Sequence, residues 1–80
     1  MSITAIQSKM ARAALGWSTS ELAKRANVGV ATVNRFETGQ AVPIPATVAA
    51  IQRAMEDAGI IFISENGAGP GVRLAKKAES

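Results

Sequence analysis

The chain has 80 residues and contains neither cysteine nor histidine. That length allows one domain. That composition excludes a disulfide framework, thiolate or imidazole metal sites, and any Cys–His or Ser–His catalytic unit. The net charge is +3 but uneven: Lys9, Arg12, Lys24, Arg25, Arg35 and Arg53 against Glu21 and Glu37 give +4 up to Met55, and the remainder carries −1.

A basic first part suits an anionic partner. The hydrophobic share is 48%, much of it alanine, which fills helix crossings well and sheets poorly. A mainly α protein is therefore expected. A chain this short buries only about 60% of its unfolded surface, so it needs efficient helix packing or a partner chain. The apolar run Ile60-Ile61-Phe62-Ile63 is too short to span a bilayer, and the N-terminus does not read as a signal peptide. The expectation is a cytoplasmic protein with no membrane partner and no cofactor.

The first helix is expected over residues 3–15, with Ile3, Ile6, Met10 and Ala13 as its apolar stripe and Gly16 as its stop. Ser18-Thr19-Ser20-Glu21 reads as a capping box: the Ser18 hydroxyl caps the helix and Glu21 reaches back to the Ser18 amide. Trp17 and Leu22 have the spacing of a hydrophobic staple around it. The second helix should run from Thr19 to Ala26 and end at Asn27, a residue that tolerates the left-handed conformation. A third helix follows from Val30 to about Thr38, closed by Gly39. The segment from Ala41 to Pro45 is a loop, and Pro45 opens a fourth helix striped by Val48, Ile51 and Met55. Beyond Gly59 the residues become β-branched. Ile60 to Ser64, a turn-rich Glu65 to Gly71, and an extended Val72 to Ala75 read as a β-hairpin, before a charged end at residues 76–80. Gly67 to Gly71 is a long turn rather than a phosphate loop, because no Lys-Ser/Thr follows it.

Two short helices joined by a tight turn inside a helical domain suggest a helix-turn-helix. Leu22, Ala23 and Ala26 supply the inner face of the first, and Val28, Val33 and Phe36 supply the turn and the second. At about 100° per residue, Val30, Ala31, Asn34, Arg35 and Thr38 fall on the outward arc of the third helix. Arg35 can donate two hydrogen bonds to guanine and Asn34 can pair with adenine, while Val30 and Ala31 can pack on thymine methyls. Ser18, Thr19 and the amides at the second helix start suit a phosphate.

The stretch from Leu15 through Glu21-Leu22-Ala23-Lys24-Arg25-Ala26-Asn27 to Val28, with Thr32-Val33-Asn34-Arg35-Phe36-Glu37-Thr38-Gly39, closely resembles the lambda-repressor-like (Xre/Cro-type) helix-turn-helix family. The resemblance covers roughly residues 3–58. It departs at Thr19, usually Gln, at Asn27, usually Gly, and at Gly29, usually Ser or Thr. The resemblance implies a fold of four or five helices, here with a C-terminal β-hairpin. It implies a bacterial regulator that binds double-stranded DNA as a homodimer on a palindromic operator. Base contacts map onto Val30, Ala31, Asn34 and Arg35. Phosphate contacts map onto Ser18, Thr19, Thr32, Thr38, Gly39 and Gln40. The resemblance also implies a structural ion pair between Arg12 and Glu37.

Residues 1–58 are thus expected to form the DNA-binding domain, and 59–80 a dimerisation tail in which Ile60, Ile61, Phe62 and Ile63 pair with a second chain. Such a dimer would set two reading helices about 34 Å apart. A hairpin folded on its own domain is the alternative. An antitoxin-type module, whose tail binds a second protein, is the competing function. An enzyme is not expected: Glu56 and Asp57 are the adjacent carboxylates, and neighbours on a helix do not face one another.

Overall fold

Helix limits in this chain are written in cap chemistry, and the computed structural model shows most of them where the sequence places them. It describes residues 2–40, 44–64 and 69–75. The helices are α1 (Ala5–Leu15), α2 (Thr19–Ala26), α3 (Val30–Thr38) and α4 (Pro45–Asp57), followed by strands β1 (Ile60–Ile63) and β2 (Gly71–Leu74). The fold is mainly α with a C-terminal antiparallel hairpin. No described helix is long and apolar enough to cross a membrane. The loop expected over Ala41–Pro45 and the turn over Glu65–Gly71 fall largely outside the described residues, as does the charged end.

Helix α2 ends at Asn27 with φ of 58°, and α3 ends at Gly39 with φ of 76°. Both are left-handed positions that a β-branched residue would resist. Pro45 occupies the first turn of α4, where its missing N–H costs nothing. The Ser18 cap is half of what the sequence suggests. Ser18 Oγ accepts from the Glu21 amide at 3.0 Å. The Glu21 carboxylate instead takes the Arg25 guanidinium at 2.6 Å, because a charged partner one helical turn away outcompetes a neutral amide. The reciprocal box is at α1: Thr4 Oγ1 accepts from the Gln7 amide, and Gln7 Oε1 accepts from the Thr4 amide.

Helix α3 starts at Gly29, which makes no side-chain cap bond. Its φ is −73°, and a β-carbon there would meet only Thr32 Oγ1, at 3.7 Å. Gly29→Ser should therefore add a cap and restrict the unfolded chain. The expected gain is about 0.5–1 kcal/mol, or roughly 2–8 °C in melting temperature. A thermal melt that moves downward would contradict it.

The core lies where α2, α3 and α4 meet. Leu22, Val33, Ile51 and Met55 are fully buried there, and Ala23 and Ala26 let the helices approach closely. Ile3 closes one side and Ile60 another. Only part of the apolar stripe expected over residues 3–15 is buried: the helix starts at Ala5, so the buried Ile3 precedes it, and Met10 is half-buried. Ile6 is 60% exposed and Ala13 is exposed, while Gln7, Ser8 and Ala11 are buried. The reason is tertiary: Gln7 and Ser8 have fixed hydrogen-bond partners on the hairpin and on α3, and buried polar groups must be satisfied.

The hairpin folds onto its own helices, with β1 against α4 and β2 against α1. Its register pairs Ile60 with Leu74, Ile61 with Arg73, Phe62 with Val72, and Ile63 with Gly71. Strand alternation then separates the four residues expected at a dimer surface. Ile60 is 3% exposed and Phe62 packs on the core, so the expectation of Ile60 at an interchain contact is corrected. Ile61 and Ile63 turn outward and stay exposed.

Candidate nucleic-acid interface

Helix α3 is divided sharply into two sides. Val33, Phe36 and Glu37 are buried. Val30, Ala31, Asn34, Arg35 and Thr38 are exposed, and Thr32 is half-buried. Val33 and Phe36 anchor the helix, so the 3.6-residue period turns residues 31, 34, 35 and 38 outward, while Val30 lies at the margin of that side and is left exposed in the first turn. Among the described residues, neither the Asn34 amide nor the Arg35 guanidinium has a hydrogen-bond or ion-pair partner within the chain.

A buried polar cluster holds this helix in place. Glu37, 4% exposed, receives Arg12 Nη2 at 2.7 Å and Arg12 Nε at 3.0 Å. Ser8 Oγ donates to the same carboxylate at 2.6 Å. Arg12 Nη1 donates to the carbonyl of Trp17, in the turn between α1 and α2. Hydrogen bonding to Glu37 raises the Arg12 guanidinium above its ordinary range. The last turn of α3 is thereby tied to α1 and to the entry of α2. Ser8 was not visible as a member of this cluster from sequence, although it lies one turn before Arg12 on the same helix. Gln7 was missed as well, although Thr4 and Gln7 carry the capping-box spacing.

The residues expected at phosphates fare differently. Ser18 is exposed, and its hydroxyl accepts the Glu21 amide, leaving its proton available to donate. The amides of Thr19 and Ser20 have no partner among the described residues, as the first turn of a helix leaves them. Thr38 Oγ1 donates to the Asn34 carbonyl at 2.8 Å, so its proton is already committed. The amides of Gly39 and Gln40 donate to the carbonyls of Phe36 and Arg35. They close the helix and are not free to clamp a phosphate; the Gln40 side chain remains exposed.

The cations also divide. Arg25 is held by Glu21 and stacks 4.6 Å from the Trp17 ring centroid. Lys9, Lys24, Arg35 and Arg53 are exposed and have no ion-pair partner among the described residues.

Two consecutive short helices, a three-residue turn, and a second helix that anchors by one side and offers polar groups on the other define a helix-turn-helix domain. The chain belongs to the helix-turn-helix domain family, whose pattern matches residues 8–56, more than half of its length. The match runs from α1 through α4 and leaves the hairpin outside. No curated protein matches the chain at a significant level.

Proposed function

We propose that this protein is a sequence-specific double-stranded DNA-binding regulator of transcription, of the lambda-repressor-like (Xre/Cro) kind. The observation that carries the reading is Asn34 and Arg35, exposed and without a side-chain partner among the described residues, on a helix whose other side is locked into the core. Laid in a major groove, α3 presents Val30, Ala31, Asn34 and Arg35 to base edges. Arg35 donates two hydrogen bonds to guanine O6 and N7, and Asn34 pairs with adenine. Ser18, Thr19 and the free amides of the first turn of α2 hold a phosphate, with Thr32 and Gln40 as further contacts. The net +4 of the first part supplies the nonspecific attraction.

The functional unit we propose is a homodimer on a palindromic operator. Supporting it is the outward pair Ile61 and Ile63, 38% and 39% exposed on a two-stranded sheet. A second copy covering these residues would remove an apolar surface from water. Sedimentation of the intact protein, alone and with DNA, tests the assembly. A monomer under both conditions would refute it.

Selection of bound duplexes from a random pool at stated salt tests the reading itself. A site of two inverted half-sites one turn apart is the expected result. Salt-sensitive binding without sequence preference would overturn it. Within the selected site, Arg35→Ala should relax one base position by about 1–3 kcal/mol. Because Arg35 is exposed and has no internal partner among the described residues, the variant should melt as the parent does.

A further inference from the structure

The leading end of α3 has an unusual chemistry for a surface that faces DNA. Gly29 has no side chain, Val30 is 42% exposed, and Ala31 is exposed. Three successive positions therefore offer no side-chain hydrogen bond. Val30 is also the only large hydrophobic residue left exposed on α3 among the described residues. One turn further along, Asn34 and Arg35 are polar, exposed and without a side-chain partner among the described residues. The reading face thus has an apolar end and a hydrogen-bonding end.

In the major groove the alkyl group that projects from a base edge is the 5-methyl of a pyrimidine. Beside the flat C5–H and C8–H positions, the other edge atoms there are donors or acceptors, and an isopropyl group placed against those would desolvate them without return. Charge complementarity already directs this face to DNA: Arg35 lies on it, and the part of the chain that contains it carries +4. Resting on the DNA-binding reading above, we propose that Val30 and Ala31 make α3 a reader of 5-methylpyrimidines. The group recognised is the methyl itself, whether it belongs to thymine or to 5-methylcytosine. Binding then responds to cytosine methylation as well as to sequence, without any residue devoted to methylation alone.

The test remakes the site recovered from a random pool with uracil in place of thymine, one position at a time. Loss of one buried methyl contact should weaken binding about fourfold, and loss of two adjacent ones about fifteenfold. At the sensitive position, cytosine and 5-methylcytosine are then compared on an otherwise unchanged duplex, and methylation should strengthen binding about fourfold. In Val30→Ser, whose side chain is not part of the core, both differences should collapse at one position while the melting temperature is kept. Uracil without effect at every position overturns the proposal. So does a thymine–uracil difference with no matching difference between cytosine and 5-methylcytosine, which would place the effect in duplex shape. Methyl sensitivity that persists in Val30→Ser overturns it too. These outcomes leave the sequence-specific reading intact, whereas a pool that yields no preferred site removes that reading first.

Discussion

Glu37→Gln should lower the melting temperature by roughly 12–24 °C, from a loss of about 3 kcal/mol. The substitution preserves shape and removes one negative charge. What it leaves behind is the Arg12 guanidinium, 21% exposed and still aimed at position 37. It also turns an acceptor of every neighbouring donor into an amide with donors of its own, facing Ser8 Oγ and Arg12. Breaking a fully buried pair costs about 3–5 kcal/mol. The partial exposure of Arg12 lets water reach it, which sets the lower end. A domain of this size holds only about 4–12 kcal/mol in total, so the effect is a large share of it.

Two companions separate the causes. Ser8→Ala removes one donor to the carboxylate but leaves the ion pair, so it should cost less, about 1–2 kcal/mol. Glu21→Gln breaks a solvent-exposed pair with Arg25, and exposed pairs contribute little. Its melt should match the parent. Equal melting temperatures for the parent and Glu37→Gln would show that the cluster does not hold α3. If the cluster does hold it, and α3 binds DNA as proposed, affinity should fall with Glu37→Gln even at temperatures where the variant is folded, because the last turn of α3 has lost its anchor.

Gln7→Ala should cost about 2–4 kcal/mol, and much of that should appear as a loosened hairpin. Gln7 is 1% exposed. Its Nε2 donates to the carbonyls of Ile63 and Gly71, each at 3.0 Å, and so touches both strands at one end of the ladder. Its Oε1 accepts the Thr4 amide at 2.9 Å. Truncation removes all three bonds and leaves a small void. An isolated two-stranded hairpin is marginal in water, so this clamp decides how firmly β1 and β2 rest on α1. Amide hydrogen exchange is the appropriate measurement, since it reports local opening. Protection should fall across Ile60–Ile63 and Gly71–Leu74 more than across α2 or α4. Gln7→Met, which restores length without hydrogen bonds, should recover part of the global stability but little of the hairpin protection. Unchanged protection in Gln7→Ala would show that apolar packing of Ile60, Phe62 and Val72 is sufficient.

Much of the frame is legible without the structure because it rests on local chemistry. Ser18, Asn27, Gly39 and Pro45 each impose a cap, a left-handed turn or a fixed φ on their own neighbours, so the limits of α2, α3 and α4 can be read directly. The outward placing of Ala31, Asn34, Arg35 and Thr38 on α3 follows from Val33 and Phe36 by period alone. Both glycine and asparagine stops work through one residue's backbone, with no distant partner required. The helix-turn-helix and the exposed side of its second helix were therefore determined by the sequence.

Helix α1 and the hairpin were decided elsewhere. Hydrophobic periodicity selects Ile3, Ile6, Met10 and Ala13, yet Ile3 is buried ahead of the helix and the buried positions within α1 are Gln7, Ser8 and Ala11. Periodicity assumes an apolar neighbour, and here the neighbours are the Glu37 carboxylate and two strand carbonyls. Whether a polar side chain is buried depends on where its partners stand, and those partners lie up to 64 residues away in the chain. The same holds for Ile60 to Ile63. Their alternation is local, but which pair turns inward is set by α1 and α4. The small size and the +4 of the first part suit one reading head. That the tail completes the core of that head, through Ile60, is a property of packing that only the tertiary structure could decide.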